Sequence, residues 1–156
     1  MTITVAVERP DAPDIVALLE RHLAHMRSLS PPGHVHALDL DGLLHPAVTF
    51  LAARDEDGAL VGVGALKELT ADHAEIKSMH TPEEGRGRGV GRLVLGELLT
   101  LARSRGYRRV SLETGSMEGF APARALYASV GFVTCEPFGD YTANPYSTCM
   151  TLELGA

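Results

Sequence analysis

The sequence predicts an α/β protein, a mixed sheet with helices on both faces, in the order β-α-loop-β-β-β-α-β-α-β-β. Three observations carry that prediction. Short runs that alternate apolar with polar or small residues mark strands. Two longer stretches, Ile15 to Met26 and Val90 to Arg105, repeat apolar residues at helical spacing. Asp55-Glu56-Asp57-Gly58 joins two strand-like runs, and an Asp-Gly pair in that setting is a strong hairpin signal.

Taken in order, Ile3, Val5 and Val7 alternate as a first strand. Asp11, with Asp14 three residues on, reads as the cap of a helix whose face carries Ile15, Leu18, Leu19, Leu23 and Met26. Ser30 to His45, with Pro31-Pro32-Gly33, is loop-like and has room for a short helical turn. Val48 to Arg54 and Leu60 to Glu68 form the hairpin, and Ala74 to Met79 is the next strand. Val90, Val94, Leu98, Leu101 and Ala102 share one face of the second long helix, which Gly106 stops. Arg108 to Glu113 is a strand. Pro122 opens a helix that ends at Val130 with Gly131 beyond it. Phe132 to Glu136 and Cys149 to Leu154 complete the set.

At 156 residues the chain is expected to form a single domain, residues 1–156, large enough for a proper core. No apolar run approaches the roughly 20 residues of a membrane span, and the N-terminus has no signal-peptide pattern, so a cytoplasmic protein with no membrane partner is expected. A formal charge of −6 argues against nucleic acid as a partner. Cys135 and Cys149 fall on neighbouring C-terminal strands and, without secretion, read as small apolar residues rather than a disulfide. No zinc spacing occurs among the two cysteines and seven histidines, so no metal is expected. The oligomeric state stays open, a homodimer included.

Against this acidic background one segment stands out: Arg86-Gly87-Arg88-Gly89-Val90-Gly91-Arg92, between a strand and a helix. Three glycines in five residues let the backbone turn sharply and approach a ligand. The helix that follows begins with free N–H groups and a positive dipole end, which favour phosphate. The dinucleotide pattern fails, because the sixth position from Gly87 is Arg92 and from Gly89 is Val94. The triphosphate loop fails for want of a Gly-Lys pair. Arg86, Gly89 and Gly91 do fit Arg-x-x-Gly-x-Gly.

In that loop the chain resembles the GNAT superfamily of N-acetyltransferases, whose acetyl-CoA pyrophosphate loop has this form. A second signature, Leu126-Tyr127-Ala128-Ser129-Val130-Gly131-Phe132, is similar to the family's L-Y-x-x-x-G-F. The element order matches as well, and the resemblance covers Val48 to Leu154. It implies the acyl-CoA N-acyltransferase fold, acetyl-CoA as cosubstrate, and an amine as acceptor. Glu113-Thr114-Gly115 and Phe138-Gly139-Asp140-Tyr141 are similar to a group of small bacterial acetyltransferases with poorly defined substrates. Three positions depart from the usual pattern: Phe120 where many relatives place an asparagine, Gly85 before Arg86, and Thr81 in place of valine.

Acetyl transfer to an amine needs a neutral amine, a polarised carbonyl and a proton for the leaving thiolate. An alkylamine of pKa about 10.4 is neutral in about one molecule in a thousand at pH 7, roughly 4 kcal/mol of barrier. Glu75, in an Ala-Glu-Ile setting like that of some catalytic glutamates in the superfamily, is the leading candidate base, and Glu113 is the second. The resemblance assigns the general acid to Tyr127 and carbonyl polarisation to main-chain N–H groups of Met79, His80 and Thr81. It assigns the pyrophosphate to the amides of Arg86, Gly87, Arg88, Gly89, Val90, Gly91 and Arg92, and the pantetheine arm to the neighbourhood of Phe120. The acceptor side is expected from Ser30 to His45 and Phe138 to Ser147, through His34, His36, Asp39, Asp41 and Tyr141. The expected acceptor is a small amine-bearing molecule, acetylated directly in a ternary complex, since no cysteine falls in the expected site. A protein lysine or N-terminus is an alternative acceptor, and a non-catalytic acyl-CoA binding protein is the alternative on the same fold.

Overall fold

A computed structural model describes residues 2–29 and 40–155. Seven strands form one mixed sheet: β1 (Thr4–Val7), β2 (Val48–Arg54), β3 (Leu60–Thr70), β4 (His73–His80), β5 (Arg109–Gly115), β6 (Val133–Cys135) and β7 (Ser147–Glu153). Their spatial order is β1-β2-β3-β4-β5-β7-β6, and only the central β4–β5 pair is parallel. The helices are α1 (Pro13–Leu29), the single turn α2 (Leu40–Leu43), α3 (Val90–Ser104) and α4 (Ala121–Ser129). The predicted α/β class and mixed sheet are those observed.

Side-chain alternation sends residues to two cores. On one face Phe50, Ala52, Val63 and Ala65 meet Ile15 and Leu18 of α1 and Leu43 of α2. On the other, Leu51, Ala53, Val61, Leu66, Ile76, Val110 and Leu112 meet Val90, Val94, Leu95 and Leu98 of α3 and Tyr127 of α4. Arg54 pins α1 to the sheet, reaching Asp14 at 2.7 Å and Glu8 at 2.9 Å. The first helix departs from its expected cap. It starts at Pro13, whose missing N–H suits a first-turn position, and Val16 donates to Ala12 O. Asp11 is instead held by Arg9 at 2.8 Å.

Two features of β4 shape the centre of the sheet. Its ladder to β5 runs from His73↔Arg109 to Ile76↔Leu112 and ends there, although both strands continue. Below that point a polar chain laces the strands: His73 Nε2 lies 2.8 Å from Ser111 Oγ, which lies 2.9 Å from Thr151 Oγ1. On the other side, β4 pairs with β3 through Ala65↔Lys77 and then Val63↔His80, so β4 carries one residue more than β3. Ser78 absorbs it at φ +57°, the one non-glycine positive φ among the described residues. The bulge brings His80 to the same face as Lys77 and Glu75, the face covered by α1.

Candidate active site

Where β4 and β5 part, a cavity of about 510 Å³ opens on both faces of the sheet. Its α3 side is lined by Met79, Thr81, Arg86, Gly91, Leu126 and Tyr127. Its α1 side is lined by His22, His25, Glu75, Lys77, His80, Glu113 and Tyr141. That volume is ample for a small-molecule site.

The glycine loop forms one rim. After a 3₁₀ turn at Glu83–Gly85, Gly87 and Gly89 take φ of +77° and +75°, a region that disfavours side chains. Gly89 is the N-cap of α3 and offers no side-chain cap. The amides of Val90, Gly91 and Arg92 donate to no acceptor among the described residues, so the start of the helix keeps its donors and its positive end. Arg86 Nε donates to Thr81 O at 3.4 Å, Arg88 reaches Asp55 at 3.4 Å, and Arg92 donates to Ser129 Oγ at 3.2 Å. The departure at Gly85 has a steric reason: a Cβ there would overlap the carbonyl oxygen of Val61.

Of the residues expected at the cofactor, Met79, His80, Thr81, Arg86, Gly91 and Phe120 line the cavity. Gly87, Arg88, Gly89 and Arg92 lie on the rim outside it, and the Val90 side chain is buried in the core against β3. The aromatic ring of Phe120 packs against Gly115, where a Cβ would overlap it.

Glu75 is 4% exposed and sits on the sheet floor of the α1 side. Tyr141 OH donates to Glu75 Oε2 at 2.6 Å, and Lys77 Nζ donates to the same oxygen at 3.1 Å and to Tyr141 Oη at 2.7 Å. Burial and the neighbouring Glu75 carboxylate push the Tyr141 phenol well above its ordinary value. Glu113, half-buried on β5, faces the same chamber. Tyr127 is buried on α4, edge-on to Phe132 at 5.8 Å, and its hydroxyl makes no hydrogen bond among the described residues. Burial raises its pKa above the ordinary tyrosine value, so it stays protonated.

On the acceptor side the sequence reading is only partly matched. Tyr141 reaches the cavity, whereas Asp41 lies exposed on α2 and does not line it. His34, His36 and Asp39 lie outside the described residues. His22, His25 and Lys77 were missed. The signal was present: His22 and His25 interrupt the helical stripe of α1 near Met26, and Lys77 follows Glu75 at strand spacing. His22 and His80 stack with ring centroids 4.5 Å apart, tilted by 36°. Cys135 and Cys149 are register partners on β6 and β7 and are free thiols. Cys149 is buried and Cys135 only partly so, and neither lines the cavity. Among the described residues no cluster of three histidine, cysteine or acidic side chains is placed to hold a metal, and no helix is long and apolar enough to cross a membrane.

A sheet parted at its only parallel pair, with a bare helix start on one side of the gap and buried ionisable groups on the other, is the architecture of an acyl-CoA N-acyltransferase. The profile of the Acetyltransferase (GNAT) family matches residues 15–132. The uncharacterized N-acetyltransferase YsnE of Bacillus subtilis (strain 168) is 49% identical over 140 residues, covering 90% of this chain and 92% of the relative. A crystal structure from Klebsiella pneumoniae subsp. pneumoniae MGH 78578, assigned as an acyl-CoA N-acyltransferase, superposes with a TM-score of 0.81 at 27% identity over 98% of each chain. The fold is shared by a GNAT acetyltransferase of Elizabethkingia anophelis with acetyl-CoA bound, at a TM-score of 0.69 and 17% identity over 97% of this chain and 98% of that one. The chain therefore belongs to the GNAT family and is an N-acetyltransferase.

Proposed function

We propose that this protein transfers an acetyl group from acetyl-CoA to the amine of a small, amino-acid-like acceptor, directly and within a ternary complex. The observation that carries the reading is the parting of β4 and β5 after Ile76 and Leu112, which joins two chemically distinct half-sites through one cavity. The α3 half suits a diphosphate: bare amides at Val90, Gly91 and Arg92, a helix dipole, and Arg86 at the rim. The α1 half suits an amine: two carboxylates, Glu75 and Glu113, in a partly enclosed chamber.

When bound, acetyl-CoA supplies the acetyl group as an activated thioester. The protein's part is to orient and to move protons. The ladder from β4 to β5 ends at Ile76, and polarisation of the carbonyl is assigned in this reading to main-chain N–H groups on that edge of β4, within Met79 to Thr81. Tyr127 holds its proton at Oη beside the cavity and is the donor to a departing thiolate. Glu75 is the base that draws a proton from the amine, directly or through water, with Tyr141 and Lys77 fixing its Oε2. Glu113 is the alternative base from the facing strand. No cysteine lining the cavity among the described residues supports direct transfer over an acetyl-enzyme.

The test is free-thiol release from acetyl-CoA with a panel of amino acids, alkylamines and lysine peptides, alongside intact-mass measurement of the protein. Acceptor-dependent release with an acetylated small amine and an unmodified protein is expected. Release only with peptides, or an acetylated protein on the kinetic path, overturns the reading.

A further inference from the structure

The α1 side of the cavity has two poles. The sheet floor presents the carboxylates of Glu75 and Glu113, with Lys77 held against Glu75 and His80 at the end of β4, and the facing wall on α1 presents the imidazoles of His22 and His25. An occupant with an amine at one end and an anionic group at the other would satisfy both.

His22 gives that wall a definite polarity. Its ring lines the cavity, yet Nδ1 is shut away and has no hydrogen-bond partner among the described residues. The edge shown to the cavity is therefore that of Nε2. A buried N–H without an acceptor is worse than a buried lone pair without a donor, so the ring proton belongs on Nε2. Burial, with the charges that His80 and His25 carry when protonated, pushes the His22 pKa down to about 3, which keeps the ring neutral at physiological pH. A neutral ring of this tautomer offers the cavity one N–H donor and no acceptor.

We propose that His22 Nε2–H donates a hydrogen bond to a carboxylate oxygen of the acceptor, making His22 the residue that selects amino acids over plain amines. The inference rests on the amine-acetylation reading and names its substrate class. The carboxylate of the acceptor lies against His22, and its amine points across the chamber to Glu75 and Glu113, beside the gap between β4 and β5. His22 contributes through binding, not through proton transfer.

Matched pairs test this: L-phenylalanine against phenethylamine, and L-leucine against isoamylamine, each pair differing by one carboxyl group. The wild type is expected to favour the amino acid in kcat/KM. His22→Phe keeps a flat ring against His80 and removes the donor, and it should cut that preference at least tenfold through the acceptor KM, with the KM for acetyl-CoA within twofold. His22→Gln, whose amide nitrogen extends to the position of Nε2, should restore the preference to within about threefold. A wild type that prefers the carboxyl-free amines, an equal loss for both members of a pair, or a Gln variant no better than Phe overturns the proposal. If the wild type releases no thiol with any amine, the acetylation reading itself has failed. The same pairs are then followed by saturation-transfer NMR on the acetyl-CoA-loaded protein. Amino-acid binding that is lost in His22→Phe and kept in His22→Gln sustains the assignment, and absence of amino-acid binding to the wild type overturns it.

Discussion

Tyr141, in the loop between β6 and β7, donates a 2.6 Å hydrogen bond to Glu75 on the central strand β4, joining residues 66 positions apart. The same phenol oxygen accepts from Lys77 at 2.7 Å, and Lys77 closes the triangle on Glu75 at 3.1 Å. A C-terminal loop thereby sets the position of the candidate base.

Tyr141→Phe removes the hydroxyl's bonds to Glu75 and Lys77 while keeping the ring against Phe138, 5.1 Å away. Loss of a buried, charge-assisted hydrogen bond should cost about 1–3 kcal/mol of stability. In a double-mutant cycle with Glu75→Gln, a coupling free energy of about 1–2 kcal/mol is expected from urea denaturation. Strictly additive effects would show that the pair is not coupled.

Tyr127→Phe keeps the core packing of α4 and removes the proton donor. Turnover should fall about 100-fold, with acetyl-CoA affinity by calorimetry within twofold of the wild type. Unchanged turnover would remove Tyr127 from the mechanism.

Gly89→Ala forces a side chain into φ +75° at the start of α3. The strain should cost about 1–2 kcal/mol and lower Tm by several degrees. It should also misalign the free amides at the helix start and weaken acetyl-CoA binding about tenfold. Calorimetry and a thermal melt read the two effects separately, and tight binding despite a lowered Tm would dissociate the loop from the cosubstrate.

His22 makes stability sensitive to acid. Unfolded, it takes a proton near pH 6.5, whereas folded it resists until about pH 3. Protons therefore favour the unfolded chain, and stability falls as pH drops from about 6.5 toward 3, by up to about 1.4 kcal/mol per unit. His73 bends in the same direction, its pKa lowered by burial and by Arg109. The lowered carboxyls of Asp14 and Asp55 enter only near and below pH 4. His22→Gln should flatten the curve between pH 6.5 and 4 in denaturant titrations. Curves that stay parallel to the wild type would contradict an imidazole held neutral in the fold.

Most of the fold was legible because its signals are local. Alternation placed the strands of the β2–β3 hairpin, with β3 running two residues past Glu68 to Thr70, and the apolar stripe of α3 was read almost to its last turn. The first helix starts at Pro13, one residue too late for Asp11 to cap it, and Asp11 pairs with Arg9 instead. On the α3 side Arg86, Gly91, Leu126 and Tyr127 line the cavity, and they were legible because each lies in a short contiguous signature, Arg86 to Arg92 or Leu126 to Phe132.

The sequence by itself determined the α/β class, the glycine loop before α3 and the tyrosine of α4, because each depends on neighbours within a turn or two of chain. Tertiary structure alone decided that β4 and β5 part after Ile76, that the extra residue at Ser78 turns His80 toward α1, that Lys77 and His22 face Glu75's chamber, and that Tyr141 meets Glu75 itself. Those outcomes depend on packing between segments tens of residues apart and on the register of strands that no short turn connects.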